Sequence, residues 1–320
     1  MNTYYIGLDI GGTAIKIGLF DNNDELKQKT EIPTRLHLNG AHILSDSVEA
    51  CSKLLDTEDV DWNSVQGIGI GVPGLVKNDN YIVRCVNLGW ENVDLGKELY
   101  ALTKVRNVRA INDAKAAALG EWWQGGHGQC SSAVMITLGT GIGGGVIMNG
   151  QIVNGAFGSA GELSHFPLVP DETEPCACGK FGHLQQYASA EGIVHQFCKK
   201  LRIENKPTIL SNQENLSAKN IIDAAREGDK LAKEVFDDAV KKIAQTMAMV
   251  TSVIDPELFL IGGGMAKAGD FLIDAIRKEY RRCVILFSEA TRIEQAVLGN
   301  DAGIYGAVKY VMDHIKREAS

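Results

Sequence analysis

The sequence predicts an α/β protein of two lobes, and three observations carry that expectation. At 320 residues the chain exceeds one ordinary domain and fits two, each long enough to bury a core. A strand, a glycine-rich turn and a β-hairpin occur twice, at Tyr4 to Phe20 and again at Ala133 to Val153. Around them strands alternate with helical stretches, the pattern of sheets built through crossover helices. The expected lobes are residues 1–118, with a C-terminal helix over 300–320 packing back on them, and residues 119–299.

In the first copy, Tyr4 to Ile10 is β-rich, breaks at Gly11-Gly12, resumes as Ile15 to Phe20, turns at Asp21 to Asp24 and continues from Glu25 to Thr30. A helical stretch around Ile43 to Leu55 leads to the alternating strand Val65 to Ile70, which breaks at Gly71-Val72-Pro73-Gly74. Val108 to Ile111 reads as another strand, closed by Asn112-Asp113, and Ala114 to Trp123 as a helix that Asn or Asp caps. The second copy runs from apolar Ala133 to Leu138 through a glycine loop, Gly139 to Gly145, into a hairpin about Asn149-Gly150. After it the chain is mainly helical. Leu231, Val235, Val240, Ile243, Met247, Val250 and Ile254 keep helical spacing up to Asp255-Pro256. Leu258 to Ile261 is a short buried strand, Gly262-Gly263-Gly264 a tight turn, Phe271 to Arg282 a helix, and Ile304, Val308, Val311 and Ile315 one face of a last helix. The doubled pattern reads as a duplicated nucleotide-handling unit.

Composition excludes several functions. A formal charge of -8 with dispersed basic residues offers no footprint for a phosphate backbone, so nucleic acid is not an expected partner. The opening residues carry no basic n-region and no apolar run reaches bilayer length, so a cytoplasmic protein without a membrane partner is expected. Seven cysteines, an odd number, argue against a disulfide framework. Cys51, Cys85, Cys130, Cys198 and Cys283 are scattered and read as small hydrophobes.

Four motifs carry chemistry. Asp9-Ile10-Gly11-Gly12-Thr13-Ala14-Ile15-Lys16 sets an acid at a strand end, a turn without side chains and then a hydroxyl. Such a turn lets backbone N–H groups and Thr13 approach phosphate oxygens, although an ordinary hairpin turn would look similar. Leu138 to Gly145 meets the spacing of a dinucleotide fingerprint, but a hairpin follows it where that fingerprint needs a helix. No glycine loop ending in Lys and Ser or Thr is present, which excludes P-loop kinases. Asn112-Asp113 could be a plain helix cap; Asp113 is also the best-placed carboxylate to accept a hydroxyl proton in phosphoryl transfer. Finally, His165, Cys176, Cys178 and His183 form a Cys₂His₂ set suited to tetrahedral zinc, the alternative being free surface thiols.

These motifs, with Gly71 to Gly74, Glu162-Leu163-Ser164-His165, Cys176 to Gln185 and Gly262 to Gly264, stand in the order of the ROK family (repressors, open reading frames, kinases), and the chain resembles that family's bacterial glucokinases nearly end to end. The resemblance implies an actin-like ATPase (ribonuclease H-like) fold with a cleft between the lobes and a structural zinc loop. It implies an ATP-dependent hexose kinase acting on the 6-hydroxyl of glucose, with Asp113 as base. Asn112, Glu162, His165, Gln185 and Gly74 would contact the sugar. Gly11, Gly12, Thr13, Lys16, Thr140 and Gly141 would lie near the phosphates of ATP, Gly262, Gly263 and Gly264 near its adenosine, and Asp9 near Mg²⁺. His165, Cys176, Cys178 and His183 would hold Zn²⁺, and a homodimer or homotetramer is expected.

Three departures stand out: His183 for a third cysteine, Ser164 within the Glu-x-Gly-His pattern, and Gln185 for a sugar-binding glutamate. N-acetylmannosamine and fructose kinases share the scaffold. A non-enzymatic sugar-sensing regulator is the alternative of another class; the family's repressors carry a helix-turn-helix ahead of the first glycine loop, whereas here the first strand starts almost at residue 1.

Overall fold

The computed structural model describes residues 3–204, 206–211 and 213–319, which fall into two compact units. The first takes in the chain up to Gln129, Gly145–Gly161 and the stretch from Leu298 on; the second takes in Cys130–Gly144 and Glu162–Val297.

In the first unit β1 (Tyr4–Ile10), β2 (Ala14–Asp21) and β3 (Leu26–Pro33) form an antiparallel meander. A helical turn, α1 (His37–Gly40), and α2 (Ile43–Thr57) lead to β4 (Val65–Val72), parallel to β1. β5 (Leu75–Lys77), β6 (Tyr81–Cys85) and β7 (Trp90–Asp94) make a small antiparallel sheet, followed by α3 (Leu95–Thr103). This sheet was not expected from the sequence, because its strands are only 3 and 5 residues long, although Asn78 and Asp79, in left-handed backbone, are residues that suit the turn between β5 and β6. β8 (Val108–Asn112) joins parallel to β4, completing the order β3-β2-β1-β4-β8, and α4 (Asp113–Gln124) leaves from its end.

β9 (Ser132–Leu138) and β10 (Ile142–Met148) bound a shorter glycine loop than expected. Gly139 N donates to Gly141 O at 2.9 Å, closing the turn early, so Gly143 to Gly145 lie inside β10. β10 carries the chain into the first unit, where its end pairs with β11 (Gln151–Ile152). The second unit continues with α5 (Gln185–Ala188), α6 (Ala190–Glu204), α7 (Ala218–Arg226) and α8 (Lys230–Ile254), whose last turn is ended by Asp255 at φ 48° ahead of Pro256. β12 (Leu258–Gly262) then lies parallel to β9 on one side and, after α9 (Asp270–Cys283), to β13 (Arg292–Gln295) on the other. The strand order β11-β10-β9-β12-β13 repeats that of the first sheet, as a duplicated unit should.

The last helix, α10 (Ala302–Glu318), belongs to the first unit and packs on β1, β4 and α4. Its Ile304, Val308 and Met312 bury against Phe20. The approach is backbone to backbone: a Cβ on Gly69 of β4 would lie 1.8 Å from Ala307 O, and one on Gly306 would lie 1.7 Å from Ala116 O. Glycine inside a strand or helix otherwise costs about 0.5–1 kcal/mol, and here it is what admits the helix. Among the described residues no helix is long and apolar enough to cross a membrane.

Candidate active site

In the first unit, three parallel strands deliver their carboxyl ends together, where ligands of open α/β sheets bind. Asp9 of β1 is level with Gly71 of β4, and Val72 is level with Asn112 of β8. A Cβ on Gly71 would lie 3.2 Å from the Ala116 methyl, 3.6 Å from Asp9 Oδ1 and 3.8 Å from Asp113 Cα, so both acids border Gly71, near enough for the charge of Asp113 to act on Asp9. Asn112 is the cap of α4: its Oδ1 accepts from Ala114 N at 3.0 Å and Lys115 N at 3.2 Å, and its Nδ2 donates to Gly74 O at 3.4 Å. The capping role therefore falls on Asn112, and Asp113 is not needed for it. Gly74 is fixed by backbone demands, with φ 106° and Arg84 O 2.7 Å from where a Cβ would be.

The turn after β1 is closed by Gly11 N donating to Ala14 O at 2.9 Å and held by Thr34, whose Oγ1 donates to Gly11 O at 2.7 Å and whose N donates to Thr13 O at 2.9 Å. A Cβ on Gly12 would meet nothing nearer than Asn87 at 3.9 Å, so internal packing does not require glycine there. Lys16 is the cross-strand partner of Asp9, its Nζ 3.9 Å from Asp9 Oδ2. Burial pushes the Asp9 carboxyl up to about 6; Lys16 opposes the rise and Asp113 adds to it. Burial also raises Asp113, against the pull of N–H donors led by Ala114.

In the second unit, Gly139, Thr140, Ala218, Ile222, Arg226 and Gly264 line a cavity of about 510 Å³, within the range of small-molecule sites. Arg226 is held there by Ala268 O at 2.9 Å and lies over the Phe271 ring. Nothing lies within 4 Å of where a Cβ on Gly141 or Gly264 would be, so side chains there would fill open space. Gly262 and Gly263 do not line this cavity; their missing side chains admit Met135 and the Leu138 backbone. Ala218, Ile222 and Arg226 had no glycine signature to announce them. The legible signal was the capping box Ser217 to Asn220 that starts α7.

Farther along the second unit, His165, Cys176, Cys178 and His183 bring one ligand atom each within 4.8 Å of the others. Two His Nδ1 atoms stand 3.2 Å apart, and Cys178 Sγ is 3.3 Å from His183 Nδ1. Tetrahedral zinc with ordinary bond lengths separates two nitrogens by about 3.3 Å and nitrogen from sulfur by about 3.6 Å, so the donor set fits that ion. Burial and the neighbouring His165 hold His183 below the usual imidazole range, which favours the neutral, ligating form. The chain around it is stapled by Gln186, which accepts from His183 N at 3.0 Å and donates to Glu174 O at 2.8 Å. Gln185 does something different: its Nε2 donates to Cys176 Sγ at 2.7 Å. Glu162 opens a single helical turn that ends at His165.

The ROK family model matches residues 5–314. A Halalkalibacterium halodurans protein named glucokinase is 35% identical over 308 residues, covering 95% of this chain and 93% of its own. The crystal structure of a ROK family glucokinase from Streptomyces griseus, in complex with glucose and AMPPNP, is 30% identical, with a TM-score of 0.75 over 97% of this chain and 99% of that one. A ROK hexokinase from Thermus thermophilus is 27% identical, with a TM-score of 0.83 over 99% and 100%. The fold is accordingly the α/β fold of these sugar kinases, of the actin-like ATPase type.

Proposed function

The chain belongs to the ROK family, and from that membership we propose that it is an ATP-dependent hexose kinase whose acceptor is the 6-hydroxyl of glucose. The observation that carries this reading is the pair of partly buried acids, Asp9 and Asp113, that border Gly71 at the strand ends, each raised in pKa by desolvation. The relative named glucokinase, and the neighbour bound to glucose and AMPPNP, support the choice of substrates.

On this reading Asp113 accepts the hydroxyl proton as the sugar oxygen bonds to the γ-phosphorus and the bond to the departing ADP oxygen breaks. Burial suits it to the task, because a carboxylate of raised pKa is a better base at neutral pH. Asn112, fixed as a cap, and Gly74 hold sugar hydroxyls, and the resemblance gives Glu162, His165 and Gln185 the same task. Gly11, Gly12, Thr13, Lys16, Thr140 and Gly141 take the phosphates, and the Gly262 to Gly264 turn takes the adenosine, with Gly264 on the cavity wall. Magnesium, when bound, neutralises phosphate charge, and Asp9 is the carboxylate assigned to it. One zinc held by His165, Cys176, Cys178 and His183 would be a closed structural site.

A coupled ADP-release assay with ATP, magnesium and a hexose panel tests the reading. Glucose is expected to be the best acceptor. Preference for N-acetylmannosamine or fructose would move the substrate within the class, and no hexose-dependent ADP release would overturn the kinase itself.

A further inference from the structure

One charged side chain of the first unit is buried beside the candidate base without a part in the chemistry above. Lys115 is 2% exposed and stands in the first turn of α4, just after Asp113. Its Nζ donates to Gly158 O at 2.7 Å and to Asn154 O at 3.3 Å. Removing an ammonium from water is costly, and an apolar side chain would pack more cheaply, so what the charge contributes is placement. The two carbonyls are the first and last of the segment Asn154 to Gly158, which bends through Gly155 at φ 76° and Gly158 at φ 78°. That segment, Asn112 and Lys115 line one cavity of about 290 Å³. A second tie holds the segment from α10: Asn154 Nδ2 donates to Tyr310 Oη at 2.7 Å, which donates to Asp79 Oδ1 at 2.6 Å.

We propose that Lys115 is a positioning residue for the acceptor sugar. It ties the cavity wall at 154–158 to the helical turn that carries Asp113, so that wall and base keep one geometry. The assignment rests on the kinase reading, which gives the neighbouring Asn112 to the sugar. It also accounts for a charged residue in a turn where packing alone would favour Met or Leu.

The test is Lys115→Met, which keeps the stem and removes the donors. Amide hydrogen exchange in 153–160 is expected to quicken at least tenfold while β1 and β4 are unchanged, the KM for glucose to rise about tenfold, and the KM for ATP to stay within twofold. Unchanged exchange in that segment, or glucose and ATP constants rising together with a fall in Tm, would overturn the proposal. Should this variant not fold, Lys115→Arg keeps a cationic donor and is expected to hold exchange in 153–160 within threefold of wild type; faster exchange there also counts against it. Wild-type protein that phosphorylates no hexose would sink the kinase reading, while the exchange arm still decides whether Lys115 holds the segment.

Discussion

Asp9 and Asp113 are each less acidic than an ordinary aspartate, for the same reason, and the consequences differ. For Asp113 the raised pKa serves proton transfer, so Asp113→Asn, which keeps shape but removes the acceptor, should lower kcat by about a hundredfold or more, with glucose affinity changed far less. Steady-state kinetics alongside a binding titration check this; near-normal kcat would remove Asp113 from the role of base. For Asp9 the consequence is thermodynamic. Its folded pKa of about 6 lies above the ordinary 3.8, so the folded chain holds the proton more tightly than the unfolded one. The stability this confers is present below about pH 4 and is lost as pH rises through 6, leaving a charge-burial cost on the order of 3 kcal/mol at pH 7. Asp9→Asn should therefore raise Tm by about 5 °C at pH 7.5 without nucleotide or metal, and by almost nothing near pH 4. A gain of the same size at both pH values would assign it to something other than this carboxylate.

At the scale of elements, glycines of two kinds look alike in the sequence and only packing separates them. Gly306→Ala would press a methyl onto the Ala116 carbonyl and should cost about 3 kcal/mol or more in denaturant unfolding. Gly141→Ala would meet nothing, so stability should stay within about 0.5 kcal/mol while the KM for ATP rises, the reverse pattern. The long strands and helices, the strand-end position of Asn112-Asp113 and the gathering of His165, Cys176, Cys178 and His183 were legible because periodicity and motif spacing are local. The small sheet of β5, β6 and β7 was not, because strands of three to five residues carry too brief a pattern, nor the extension of β10 into the glycine run, because glycine gives no strand signal of its own. At Gln185 the structure adds a contact that the motif did not announce: its amide donates to Cys176 Sγ. A carboxylate at that position would face a thiolate instead of supporting it, so Gln185→Glu should weaken zinc retention about tenfold in a chelator competition, against wild-type protein holding about one equivalent. Equal retention in the two proteins would show that the amide does not act on the metal loop.

At the scale of the molecule, the first unit is assembled from three separate stretches of chain, the last of which supplies α10. Glycines on β1 and β4 admit that helix, and Phe20 with Tyr5 and Leu26 packs against its apolar side chains, so deleting 300–320 should unfold the first unit while leaving much of the second protected. Hydrogen exchange read unit by unit distinguishes this from uniform loosening. The arrangement also orders events during synthesis. By the time α10 emerges from the ribosome, residues 162–297 have already emerged as one uninterrupted run and can begin to fold, whereas the sheet that was made first must wait. Until translation passes residue 318, one face of that sheet lacks its cover. The nascent chain is therefore most exposed to misassociation in its oldest part, and a chaperone acting on it would find its substrate at Tyr5, Phe20 and Leu26, far from the ribosome.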